Sequence, residues 1–530
     1  MNAECRMQNV ECRKGSRQRA GSTFNILHSA FCILLLSSCA SSTRPPAWNH
    51  EWARGAVFYE IFVRSFADSD GDGIGDFNGM TAKLDYLRGL GVDGIWLMPV
   101  FESTSYHGYD TTDYDHVERD YGTDADFQRF LGEAHKRGIR VIVDLVLNHT
   151  SAEHPWFLDS ASSRTSPHRN WYVWSDANPG WKQPWGGNDP SWHLRNGAYY
   201  YGAFWSGMPD LNYRNAQVKK EMLRVARFWL ERGADGYRLD ATRYLVETGP
   251  GEPGQADTPE THRVLGELSA MVRRVRPDAI LVAENTVPTA TLAPYYAEMP
   301  MNFNFPLATA IVDGVKSGSA TGIRETLQEM NRLYPRGVID TPFLTNHDHI
   351  RIATVMGGDQ AKLRNAAAIL LTLPGIPFLY YGEEVGLQNG PGSRDEEKRT
   401  PMPWSAAGGF TSGTPWHAYA PGLAAENVAA EEGDGGSLLS YYRSWIAARK
   451  GSRALMAGEI TPLPSSAQVL AFTREAAGER VLVVHNLGDT PVEAGPFGGR
   501  LEKVFADAGV GEGGGRISLP PRSSGVWRVR

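Results

Sequence analysis

Three acids and two histidines stand out because each closes a short apolar run. They are His149 after RVIVDLVLN, Asp240 in GYRLDAT, Glu284 in ILVAEN, and His347 with Asp348 in TPFLTNHD. A buried carboxylate costs several kcal/mol unless it is paired or hydrogen-bonded, so packing alone rarely sets acids at equivalent ends of successive runs. Side chains alternate along a strand, so Arg238 and Asp240 share one face while Tyr237 and Leu239 share the other. The guanidinium then favours ionised Asp240, the state a carboxylate nucleophile requires. Glu284 stands near two further acids whose charge raises its proton affinity, which suits a general acid. Two carboxyls so divided, roughly 5 to 5.5 Å apart, displace a leaving group at an acetal carbon with net retention. Asp348 is a third acid, able to stabilise positive charge that develops on a ring.

Something must bring these ends together. Eight short apolar runs, at 56–66, 94–100, 140–149, 236–242, 280–285, 301–305, 341–348 and 376–384, alternate with amphipathic stretches such as 126–138, 216–233 and 359–375. That order predicts an α/β fold, a (β/α)8 barrel, with each of these helices stopped by a glycine cap. Reactive groups of such a barrel gather at the C-terminal ends of the strands. The third and fourth runs lie too far apart for one helix, so 149–213 is an inserted domain, with barrel at 47–148 and 214–450. Seven of the 15 Trp fall in the insert, which should overhang the mouth of the barrel as well as pack on itself. Residues 451–530 turn to strand-and-turn patterning and read as an antiparallel β-sandwich.

At the N-terminus, 26–38 is an apolar stretch behind Lys14, Arg17 and Arg19, the layout of an export signal. All four cysteines fall within the first 39 residues, so no disulfide staples the folded body. Leu36-Ser37-Ser38-Cys39 resembles a bacterial lipobox, which makes 1–46 a lipoprotein signal and tether and predicts a lipid-anchored envelope protein. A net charge of −7 offers no field for phosphates and argues against nucleic acid as a partner. Quaternary state is left open.

The motifs, in order, resemble those of the α-amylase family over 56–530. DLVLNH (144–149), MPDLN (208–212), GYRLDAT, AEN (283–285) and NHD (346–348) resemble its five signatures. The resemblance implies Asp240 as nucleophile, Glu284 as acid/base and Asp348 as transition-state stabiliser. It makes Arg238, His149, His347, Asp110 and the stacking Tyr109 contacts to the sugar at the cleavage subsite, with Arg351 and Arg399 as rim candidates. In DSDGDGIGDFNG (68–79), four acids alternate about a glycine turn, which suits Ca²⁺, although Gly79 stands where an EF-hand needs glutamate. The resemblance implies a structural Ca²⁺ held by Asp68, Asp70, Asp72, Asp76 and the Ile74 carbonyl.

Relatives that cleave α-1,6 bonds tend to hold Val after the nucleophile. Ala241 therefore leans toward α-1,4-glucosidic bonds of starch and maltooligosaccharides, an α-glucan substrate. MPDLN stands between patterns found in oligo-1,6-glucosidases and neopullulanases, and Thr242-Arg243-Tyr244 departs from the usual amylase continuation. An exo-acting α-glucosidase or transglycosylase is the alternative on the same scaffold, and a non-catalytic glucan-binding surface protein is the alternative of another class. A barrel acting on phosphorylated substrates would need a Gly-rich cradle, and the acids of PGSRDEEKR (391–399) suit that poorly.

Overall fold

Period-two alternation builds a barrel with two apolar surfaces. Parallel strands run over Phe58–Ile61, Gly94–Leu97, Arg140–Val146, Gly236–Asp240, Ile280–Ala283, Met301–Asn302 and Phe378–Tyr380. Phe58, Trp96, Ile142, Ile280, Val282, Met301, Phe303, Phe343 and Phe378 form one buried cluster, the barrel interior. The intervening Tyr59, Ile95, Val141, Val143, Tyr237, Leu239 and Leu281 belong to a second core shared with the helices. The computed structural model in which these elements are seen describes residues 45–530. The export signal, Cys39 and nearly all of the tether lie outside the described residues. Among the described residues no helix is long and apolar enough to cross a membrane.

The strands pair in the order sixth, fifth, fourth, third, second, first, eighth. The seventh run closes the ring by parallel bridges from Thr341 to Phe303 and from Phe343 to Phe378. It forms no continuous strand, because Pro342 has no N–H and can only accept, here from Phe378 N at 2.9 Å. The first run is also shorter than its apolar pattern, turning helical at Val63–Phe66. Gly236 (φ 143°) opens the fourth strand where a Cβ would lie 1.8 Å from the Ile280 carbonyl oxygen, so only glycine permits that pairing.

The helix Ala216–Glu231 shows why the runs between strands are helical. Val218, Met222, Val225, Ala226, Trp229 and Leu230 fall on one buried face, and Asn215 caps the start by accepting from Gln217 N. Gly138 (φ 75°) and Gly233 (φ 106°) follow helix ends as expected. Gly375 does not cap its helix, which ends at Thr372; glycine is needed there because a Cβ would meet the Asp340 carbonyl oxygen at 2.1 Å.

Between the third and fourth strands, the chain leaves the barrel and forms a small antiparallel sheet of Trp174–Ser175, Ala198–Tyr201 and Trp192–Arg195. It has its own core of Trp192, Tyr201 and Ala203. Beyond the helix Leu438–Lys450, antiparallel sheets of five and three strands enclose Val469, Ala471, Leu482, Val484, Ile517, Leu519 and Trp527. The alternate residues Leu470, Phe472, Val481, Val483 and Val526 join the barrel's outer core, which docks this β-sandwich.

Candidate active site

Adjacent parallel strands put Asp144 opposite Arg238 and Val146 opposite Asp240, so the acids of two strands converge on one guanidinium. Arg238 is 1% exposed and donates to Asp144 (2.9 and 3.0 Å) and Asp240 Oδ1 (2.7 Å), and its Nη2 lies 2.9 Å from Glu284 Oε1. Below it lies the ring of Trp96, 5.3 Å from Cζ. Glu284 is fixed from its other oxygen by the Ala241 N–H at 3.1 Å. Ala241 reaches that position in the left-handed region (φ 49°, ψ 37°), which is costly for a residue with a Cβ. The strain serves to aim this amide at the neighbouring strand's carboxylate.

Asp348 approaches from the seventh segment. Arg399 Nη2 donates to its Oδ1 at 3.2 Å, and His347 Nε2 lies 3.3 Å from Oδ2. The His347 ring stacks on Tyr109 at 5.5 Å, and its Nδ1 sits 2.6 Å from buried Glu60. The Tyr109 hydroxyl touches His347 Nε2 (2.6 Å) and donates to Asp144 (3.2 Å), so one ring ties three strand ends together. His149 Nε2 donates to the Tyr109 carbonyl at 3.1 Å, which fixes its tautomer and leaves Nδ1 as an acceptor. MPDLN anchors the insert here: Asp210 accepts from Asn148 and from Ala203 N, each at 3.0 Å.

One cavity of about 340 Å³ is lined by Asp240, Glu284, Asp348, Tyr109, His149 and Arg399. The insert closes one side with Trp185, Phe204 and Met208, so it both packs on itself and overhangs the mouth. Arg238 and His347 lie beneath, holding residues that line the wall. Asp110 is 4% exposed and its carboxylate accepts from the Thr104 and Ser105 hydroxyls, so it stands behind the lining. Arg351 does not reach the rim. It is buried, donating to the Tyr381 and Lys398 carbonyls at 2.6 and 2.9 Å.

Five acids against two arginines set the proton affinities. Burial raises Glu284 to about 7, with Asp240 and Asp348 adding to the rise against the pull of Arg238. Burial rather than like charge is therefore the leading cause. Asp144 is raised to about 8, again by burial against Arg238. Burial raises Asp240 above the usual range too, in spite of Arg238, so the arginine limits the rise instead of abolishing it. Enclosure would raise Asp348 as well, but His347, Arg399 and Arg238 hold it at about 2. Burial keeps His149 neutral, at about 4, and depresses His347 well below its usual range.

Several residues of the site were not singled out from sequence. Glu60 and Asp144 are lone acids at inward positions of apolar strands, and that alternation is a signal that could have found them. Asp395 touches Arg399 at 2.7 Å and accepts from Tyr106 at 2.9 Å. Arg243 and Tyr244, marked in the sequence only by their departure from the amylase pattern, also line the cavity, Tyr244 edge-on to Trp185 and Phe204 of the insert at 5.6 and 5.9 Å and Arg243 held by Glu252 (2.7 Å) and Asp257 (2.6 Å). No local pattern marks those contacts, which depend on loop placement.

In the loop after the first strand, carboxylate oxygens of Asp68, Asp70 and Asp76 lie within 4.8 Å of one another. Asp72 is not in that group, and its Oδ1 accepts from Ile74 N at 2.7 Å. Burial works against ionised Asp68, but N–H groups of Gly71, Gly73 and Asp70 and the Thr411 hydroxyl hold its pKa below the ordinary range.

Residues 60–458 match the family described as "Alpha amylase, catalytic domain". The chain belongs to the α-amylase family. Its residues 457–527 match a "Domain of unknown function (DUF3459)", which coincides with the C-terminal sheets. The chain is 40% identical to "Alpha-amylase 3" of Dictyoglomus thermophilum, covering 83% of this chain and 86% of that one. It is 35% identical to "Trehalose synthase" of Pimelobacter sp., over 83% and 88% of the two chains. Among solved structures, an alpha-amylase from H. orenii superposes with a TM-score of 0.81 at 38% identity, over 89% and 99% of the chains. The α-amylase family groups hydrolases with glucosyl-transferring relatives, and this chain is a member that keeps its acids in one cavity.

Proposed function

We propose that the protein is a retaining α-glucan hydrolase that cleaves α-1,4-glucosidic bonds of starch or maltooligosaccharides. The observation that carries the reading is Arg238 holding Asp240 and Glu284 on one guanidinium, with Asp348 on the same cavity wall. Glu284, still protonated near neutral pH, donates to the departing glycosidic oxygen as Asp240 attacks the anomeric carbon. Asp348, ionised throughout, stabilises the oxocarbenium-like charge. Glu284 then takes a proton from water, which releases the sugar with its α configuration kept. Tyr109 gives the sugar ring a flat floor, and Arg399 offers donors at the wall.

The test is anomeric. Products of maltooligosaccharide cleavage, followed by proton NMR before mutarotation, should emerge as α-anomers, and β-anomers would end the scheme. Asp240→Asn should lower turnover by several orders of magnitude with the melting temperature almost unchanged. A second reading, glucosyl transfer, is favoured by the likeness to a trehalose synthase and by the insert's aromatic wall, which could hold an acceptor sugar. Transfer products on maltose would establish it.

The acidic loop has the hard oxygen donors Ca²⁺ prefers, and three converging carboxylates need a cation more than they need one another. The ion would be held by Asp68, Asp70 and Asp76, away from the chemistry, in a structural role. Export and lipid attachment at Cys39 complete the proposal, placing the enzyme at the cell envelope where polymeric glucan arrives.

A further inference from the structure

A carboxyl that donates its proton has to face the departing oxygen, so the leaving sugar lies on the Glu284 side of the cavity. That side is aromatic. Ala241 donates to Glu284, and three residues further on Tyr244 lines the cavity. Burial raises the proton affinity of the Tyr244 hydroxyl against the pull of Arg243, and the charge of Glu284 adds to the rise, which places this ring beside the acid. From the insert, Trp185 meets Tyr244 edge-on and lies 5.1 Å from Phe204, and Phe204 in turn reaches the ring of His149 at 5.2 Å. The rings form one wall, from His149 beside Tyr109 to the side of the acid.

Trp185 is the open member of that wall. It is 45% exposed, whereas Phe204 and Tyr244 are half-buried. A lone exposed tryptophan is ordinary surface, but two observations set this one apart. Its polar edge is already used, since Nε1 donates to Gln183 Oε1 at 3.1 Å, so what Trp185 offers to the cavity is carbon. Its position is also fixed in advance. Gln183 Nε2 donates to the Phe204 carbonyl at 2.7 Å, so a single glutamine sets both rings, and the fully buried Gln255 donates to the Lys182 carbonyl at 2.9 Å, tying the base of the Trp185 turn to the loop after the fourth strand. A flat apolar ring held before its partner arrives costs little ordering on binding, and the C–H face of a pyranose is the surface that matches it.

We propose that Trp185 is the platform on which an acceptor pyranose stacks, and that its hold decides whether a sugar or water takes the glucosyl group from Asp240. The inference rests on the retaining mechanism proposed above. Once the first sugar has left, the anomeric carbon is bonded to an oxygen of Asp240 and Glu284 is ionised. A hydroxyl oxygen of the stacked sugar supplies the electron pair of the new glycosidic bond, the bond to Asp240 breaks with its pair returning to the carboxylate, and the hydroxyl proton passes to Glu284. Water follows the same course with no platform. A dilute sugar competes with the solvent only where it is held in line with the reacting carbon.

The partitioning of that one intermediate reads the proposal directly. The whole protein is supplied with α-glucosyl fluoride, and free glucose and transfer product are measured as maltose, or in a second arm methanol, is increased. Both products come from the same glucosyl-enzyme, so their ratio does not depend on how fast it forms. Maltose should capture the wild-type intermediate saturably, and Trp185→Ala should raise the half-saturating maltose concentration about tenfold. Methanol has no ring face, and its capture relative to water should be the same in both proteins. Trp185→Tyr, which restores a flat ring, should recover most of the loss. The proposal is overturned by no transfer to maltose in the wild type, by unchanged maltose capture in Trp185→Ala, by an equal fall in methanol capture, or by Trp185→Tyr behaving as Trp185→Ala. Failure of the hydrolase reading itself shows separately, as no fluoride release by the wild type.

Discussion

Replacing Glu284 by Gln separates proton donation from every other role of that side chain, since the amide keeps the shape and one oxygen acceptor. With its pKa at about 7, Glu284 is roughly half protonated at pH 7 and about 1% protonated at pH 9, two units higher. If that proton assists departure, kcat/KM of the wild type on maltooligosaccharides falls by some 50-fold between pH 7 and 9, approaching tenfold per pH unit at the alkaline end. Glu284→Gln should lose on the order of 10² to 10⁴ in turnover on the same substrate, the usual worth of general acid catalysis. An α-glucosyl fluoride needs no protonated leaving group. On it the variant should recover most of the wild-type rate of glucosyl transfer to the enzyme, with no alkaline limb near pH 7. Stopped-flow fluoride release across pH 5 to 9 reads both effects. An alkaline limb near 7 that persists in Glu284→Gln, or an equal loss on fluoride and maltooligosaccharide, would refute the assignment.

Other outcomes follow from the same geometry. Arg238→Met should leave Asp144, Asp240 and Glu284 without their shared cation and destabilise the fold by about 3–5 kcal/mol, checked by denaturant unfolding. Asp144 and Glu284 both carry raised pKa values, so the native state holds protons that the unfolded chain has released. The stability they contribute is present below the ordinary carboxylate range and lost as pH rises through about 7 and 8, and melting curves from pH 4 to 9 should decline over that span. Excess chelator should lower the melting temperature, and Asp70→Asn should lose that sensitivity; an unchanged curve in the wild type would count against a bound ion. Cys39→Ser should move the protein from the membrane fraction to the soluble one, and equal membrane association of both forms would dispose of the lipid anchor.

The chemistry was legible because strands impose a period of two and barrels put strand ends together. Arg238 with Asp240, Glu284 one step beyond ILVA, and NHD after an apolar run are local patterns, and local patterns survive being read in one dimension. The insert was legible from its length and tryptophans, and the C-terminal sandwich from its change of rhythm. Other features needed the fold. Pro342 turned the expected seventh strand into two bridges, and Gly375 proved to be a point of close approach where a helix cap was expected. Asp72 stands exposed on the loop, outside the group that Asp68, Asp70 and Asp76 form, and Arg351 went into the body of the protein.

By itself the sequence determined which residue types could act and on which strands they stood, because backbone geometry fixes the spacing of side chains within one element. Only the tertiary structure decided the proton affinities. Glu284, Asp144 and Asp348 carry the same functional group, yet they settle at about 7, about 8 and about 2. The difference comes from how much water each one loses and which cation, Arg238 or Arg399, stands beside it. Those distances run between elements far apart in the chain, and no spacing within a single run encodes them.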